Sequence, residues 1–109
     1  MKALCVKQPF ASMIASGKKS IEIRTWKTKY RGKLLIVATK SPKIQRLPSG
    51  QAICIVTLRH CRKMRKSDIE LSYCEYSEEY YSWIFEKVRE LENLIEIKGR
   101  LGIIDISNL

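Results

Sequence analysis

Hydrophobic and polar positions change period several times along the chain, and each change marks an element. Residues 2–7 read as a first strand. Pro9 then suits a first helical turn, and Phe10, Met13 and Ile14 follow at helical spacing. Gly17 stands where a helix of that length would end. From 19 to 26 the period becomes two: Ser20, Glu22, Arg24 and Trp26 fall on one strand face, Ile21 and Ile23 on the other. On a strand regular from its start Lys19 would face away from Glu22. A bulge after Gly17 would turn it back. Gly32 marks a turn, and 33–40 reads as a strand with a buried centre. Residues 41–50, with two prolines and a glycine, read as a loop. Residues 51–63 read as one long strand, apolar at first and basic at its end.

The segment 64–77 shows no period and is expected to be irregular. Ser77 before Glu78 and Glu79 has the form of a helix cap. Tyr81, Ile84, Phe85, Val88 and Leu91 then fall at helical spacing, which predicts a second helix. Residues 94–98 and 101–106 are apolar enough for two closing strands around Gly99 or Gly102. Five to six mostly antiparallel strands with two helices predict an α+β domain, its sheet curled into a small barrel. With 109 residues and no linker or repeat, one domain over 1–109 is expected.

Charge adds a direction to this picture. The formal net charge is +10. Residues 1–66 hold 17 of the 21 Lys and Arg but one acid, Glu22; residues 67–109 hold 4 basic residues and 10 acids. Such a field draws polyanions to one side of a molecule. The apolar runs are too short to span a membrane, and the opening residues lack the apolar stretch of a secretory signal, so a cytoplasmic location is expected. Cys5, Cys54, Cys61 and Cys74 form no C-x-x-C pair. No metal site and no cofactor are expected, and the cysteines read as small apolar packing residues. Cys54 and Cys61, an odd number apart in one strand, should point to opposite faces.

Glu22 is the chemical focus. With Arg24 two residues on, it makes either an ion pair or a polar patch. In such a patch a carboxylate accepts from the amino or imino edge of a base, and cations hold phosphate or sugar. At this point a resemblance is visible. Gly17-Lys18-Lys19-Ser20-Ile21-Glu22-Ile23-Arg24 fits the G-x-K-x-x-E-x-R signature of ASCH domains, within the PUA-like superfamily. Val6-Lys7-Gln8-Pro9-Phe10-Ala11 is similar to the "LKQPWA" opening of bacterial members, with Phe10 for Trp. Trp26-Lys27-Thr28-Lys29-Tyr30-Arg31-Gly32 resembles the next block. Leu34-Leu35-Ile36-Val37-Ala38-Thr39-Lys40 resembles "LLIHASK", with Val37 where His is common. Tyr81-Ser82-Trp83 and Gly99-Arg100-Leu101-Gly102 resemble the closing motifs.

The resemblance implies a PUA-like barrel and a cleft for RNA or a nucleotide-like ligand. It implies that Lys19, Glu22 and Arg24 line the cleft, with Trp26 and Arg31 close by. Lys40, in the strand motif, and Arg62 and Lys63, in the basic run 59–66, are added as candidate contacts to the ligand. That run is either a solvated strand end or a phosphate track. Trp26 either caps the core or stacks on a base. Enzymatic alternatives follow from the same family. In an amidohydrolase branch a Lys and a Thr of the signature act; Lys19 is present, but Glu22 stands where that branch has Thr. Glu22 as base for a water, with Lys19 stabilising the oxyanion, is a route to deacylation; Glu22 as base, with Lys19 and Arg24 stabilising the phosphorane, is a route to RNA cleavage. A protein-interaction module of a transcription regulator is the third class.

Overall fold

The computed structural model describes residues 1–97 and the backbone of 103–105. The chain runs β1 (Lys2–Val6), α1 (Phe10–Ala15), β2 (Ile21–Arg24), β3 (Gly32–Ala38), β4 (Gln51–Lys63), a 3-10 turn (Lys66–Asp68), α2 (Ile69–Ser72), β5 (Tyr81–Glu96) and β6 (Ile103–Asp105). The strands form one sheet in the order β2-β5-β4-β3-β1-β6. Among the described residues only β1 and β3 run parallel, joined by the crossover through α1 and β2; the other pairings are antiparallel. The sheet curls into a half-barrel, and the expected α+β class holds.

Beyond Lys2 at the start of β1 and Gly32 and Lys33 at the start of β3, the two strands are apolar because both of their faces are covered. Leu4, Val6, Leu34 and Ile36 pack on one side with Ala11 and Ile14 of α1, and with Trp83 and Phe85 of β5. Ala3, Cys5, Leu35 and Val37 pack on the other side with Ala52. α1 begins after Pro9 and is held at its start by Gln8. That side chain accepts from Ser12 N at 2.9 Å and donates to Pro48 O at 3.0 Å. Gly17 follows the helix with φ +84°; no atom lies within 4 Å of where a Cβ would sit, so the backbone angle and not space asks for glycine.

The second helix is not where the spacing put it. Residues 81–96 form the longest strand of the sheet, paired with both β2 and β4. Its core-facing residues are Tyr81, Trp83 and Phe85 at period two, and then Val88. The phase changes at Lys87, where β5 carries an extra residue against β4 in the left-handed backbone region (φ 53°). That bulge is what gave the apolar positions their helical look. Ser77 makes only a local turn, its Oγ accepting from Glu79 N at 3.2 Å. The short α2 instead lies inside the segment expected to be irregular. Residues 94–96 continue β5 and are not a separate strand. β6 falls within the expected 101–106, while the motif 99–102 and the turn around Gly99 or Gly102 lie outside the described residues.

Cys54 and Cys61 do not point apart. Between them the register of β4 against β5 shifts at Leu58/His60, where β4 has the extra residue. One extra residue inverts the alternation, so Cys54 and Cys61 both pack on the α1 side of the sheet. Burial pushes the Cys54 thiol up to about 12, as befits a packing residue.

Candidate functional site

The signature residues meet where α1, β2 and α2 converge. Lys19 precedes β2, so the strand's alternation does not govern it. Its N–H donates to Met13 O at 3.0 Å, which ties it to the end of α1 and turns its side chain inward. The ammonium donates to Ile21 O at 2.7 Å and to Ser72 O at 2.5 Å. Ser72 is the last residue of α2, so Lys19 satisfies a carbonyl that the helix itself leaves unpaired. No strand bulge is needed for this; the helix-to-strand connection does it.

Glu22 lies between two cations. One carboxylate oxygen is 3.3 Å from Lys19 Nζ; the other accepts from Arg24 Nε at 3.1 Å and lies 2.9 Å from Nη2. Arg24 Nη2 also donates to Cys5 O at 2.5 Å, linking β2 to β1 across the open side of the half-barrel. Lys19 is 3% exposed and Glu22 8%. Burial therefore lowers the Lys19 pKa from its ordinary value, and Glu22 acts against that. Two cations and one anion leave the cluster with an excess positive charge facing the cleft. Removing one partner of such a buried pair costs on the order of 3–5 kcal/mol, so these side chains hold structure as well as offering chemistry.

Three contiguous hollows open around this cluster, all bounded by Ile23. The first, about 180 Å³, has Lys19, Glu22 and Ser72 in its polar lining, with Phe10, Tyr73 and Cys74 beside them. The second, about 250 Å³, lies on the other side of Phe10, along Lys7, Arg24 and Thr39. The third, about 310 Å³, is bounded by Arg24, Trp26, Cys74 and Tyr80. The Cys74 thiol is raised by burial, with Lys19 opposing, and so stays protonated and a poor nucleophile.

The other expected residues are placed differently. Trp26 borders the third hollow, edge-on to Trp83 at 4.8 Å, so it packs on the core and also faces the cleft. Arg31 ties its own loop down, donating to Thr28 O at 2.9 Å and Tyr30 O at 2.8 Å. Lys40 lines a separate hollow with Ser49, Gly50 and Glu96. Arg62 makes a bidentate pair with Asp68, at 2.7 and 2.9 Å. Lys63 donates to Glu78 O at 2.7 Å and lies over the Tyr81 ring. The structure thus brings Lys19, Glu22, Arg24 and Trp26 together, and leaves Arg31, Lys40, Arg62 and Lys63 outside the cleft. Sequence reasoning missed Ser72, Tyr73 and Cys74, which come from the aperiodic segment. It also missed Asp68, which holds that segment by accepting from Arg62, Arg65 N and Ser82 Oγ.

Among the described residues no helix is long and apolar enough to cross a membrane, and no group of three or more His, Cys, Asp or Glu gathers to hold a metal. A small half-barrel with a polar, cation-rich cleft beside its first helix defines the class. Residues 4–95 match the family model of the ASCH domain, and the chain belongs to that family. The fold is also that of solved ASCH structures from Zymomonas mobilis. A point variant superposes with a TM-score of 0.66 at 14% identity, over 87% of this chain and 74% of the other. The unsubstituted protein gives 0.64 at 17% identity, over 87% and 72%. No curated protein matches the chain.

Proposed function

We propose that the cleft around Lys19, Glu22 and Arg24 binds RNA or a nucleotide-like ligand. The observation that carries this reading is the buried cation–carboxylate–cation cluster at the floor of an open, aromatic-edged cleft. It presents an acceptor for a base edge and an excess positive charge for phosphate. The net charge of +10 draws polyanions towards it. Membership of a family thought to bind RNA agrees with both.

The test is a fluorescence-anisotropy titration of labelled single-stranded RNA at low and near-physiological salt, with wild type and Lys19→Met. Wild type should saturate at both salts. Lys19→Met, still folded by circular dichroism, should bind about tenfold more weakly, because the cleft loses one of its two cations. Equal affinity in a folded variant would move the site away from the signature.

A catalytic reading has one specific support. Lys19 has its pKa lowered by burial and lies 3.3 Å from a carboxylate, a pairing suited to proton transfer. In that case the same cleft would cut the bound RNA or deacylate an N-acylated nucleoside. Incubation of each substrate with wild type and Glu22→Gln separates binding from turnover. Product formed by wild type alone establishes the enzyme; intact substrate with both leaves a binder.

A further inference from the structure

The first and third hollows share a ridge made by Ile23 and Cys74. Each combines an element of the charged floor with aromatic walls. Lys19 and Glu22 lie with Phe10 and Tyr73 on one side of the ridge. Arg24 lies with Trp26 and Tyr80 on the other. Taken singly, volumes of about 180 and 310 Å³ fall below or at the low end of small-molecule pockets, which span roughly 300–1,000 Å³. Together they fall inside that range.

Two of the aromatic walls are held outward, Tyr73 at a cost to its backbone. Tyr73 has a left-handed backbone (φ 56°) and is 48% exposed; Trp26 is 37% exposed. Contact with the buried Trp83 fixes the angle of the Trp26 ring (81° between planes). An exposed, oriented indole next to an arginine is a stacking surface for a base.

We propose that the cleft takes two successive bases of one strand, the first against Phe10 and Tyr73 and the second against Trp26 and Tyr80. The linking phosphate crosses the Ile23–Cys74 ridge next to Arg24. The minimal ligand is then a single-stranded dinucleotide step and not a free nucleoside. This inference rests on the RNA-cleft reading and adds to it a site size and a second base position.

The test compares ligands with equal numbers of phosphates and unequal numbers of bases. The full chain is titrated calorimetrically with the 3′,5′-bisphosphates of the four common ribonucleosides, and with the matching 5′-phosphorylated homodinucleotides. The best dinucleotide should bind about tenfold or more tightly than its one-base counterpart. Trp26→Leu and, separately, Tyr80→Leu should each reduce the ratio of dinucleotide to one-base affinity. Tyr80→Leu guards against misfolding in the Trp26 variant. Bisphosphates that bind as well as dinucleotides would overturn the two-base inference and leave the cleft reading standing. A gain that survives both substitutions would place the second base elsewhere and also overturn it. Binding of neither ligand class would remove the cleft reading as well.

Discussion

Asp68 shows how a single side chain can set the shape of a cleft it does not line. Its carboxylate is nearly inaccessible and takes a bidentate pair from Arg62, with further bonds from Arg65 N at 2.9 Å and Ser82 Oγ at 2.7 Å. These contacts fasten the segment that ends in Ser72 and Tyr73. The hydrogen bonds from Arg62 hold the Asp68 carboxyl well below its ordinary 3.8. A depressed folded-state pKa adds stability that is complete above the unfolded value. That stability is lost as pH falls through the folded one. Urea midpoints should therefore drop for wild type below about pH 4. Asp68→Asn should be weaker by roughly 2 kcal/mol or more at neutral pH, and flatter towards acid. Equal acid sensitivity in both proteins would assign the effect to other carboxylates. Of the candidate site, Lys19, Glu22 and Arg24 were legible because they lie within eight residues of one another, in a run that resembles a family signature. Asp68 and Ser72 were not, because their partners Arg62, Ser82 and Lys19 are brought to them by folding, Lys19 from 53 positions away.

At the scale of elements, β5 is the instructive case. Alternation of Tyr81, Trp83 and Phe85 was present in the sequence, yet the extra residue at Lys87 moved the next apolar position by one. A window of eleven residues containing one bulge then matches a helix as well as a strand. Pairing on both sides, with β2 and β4, decides for the strand. β1 was legible to within a residue, and so was β4, whose long run of strand-forming residues outlasts its own extra residue at Leu58/His60. Lys87 holds a backbone conformation that glycine adopts without a Cβ clash. Lys87→Gly is expected to raise stability by roughly 1 kcal/mol, and Lys87→Val to lower it. A rightward shift of the urea midpoint for the glycine variant, with an unchanged slope, would confirm this. A loss would show that the lysine side chain contributes more than its backbone angle costs.

At the scale of the molecule, charge and sheet curvature act together. The basic excess of residues 1–66 includes exposed Arg65 and Lys66 on the segment that leads to the cleft wall. If RNA passes over them, Arg65→Gln with Lys66→Gln should reduce the slope of log affinity against log salt by about 2. An identical slope would make these residues part of the general surface. Arg62 is unsuited to that test because it holds Asp68. The half-barrel has a further consequence. Among the described residues β2 is hydrogen-bonded within the sheet to β5 alone, and on its other side one arginine reaches β1. Open sheets fray from their edges, so the amides of Ile21–Arg24 should exchange with solvent through partial openings that leave the rest of the sheet intact. A ligand reaching into the second hollow, which Cys5 and Val6 of β1 line together with Glu22, Ile23 and Arg24 of β2, would touch both sides of that gap and act as a clasp. Its arrival would be recorded as slowed exchange along β2, a signal that needs no label on the ligand and reads the same for any occupant that bridges β1 and β2.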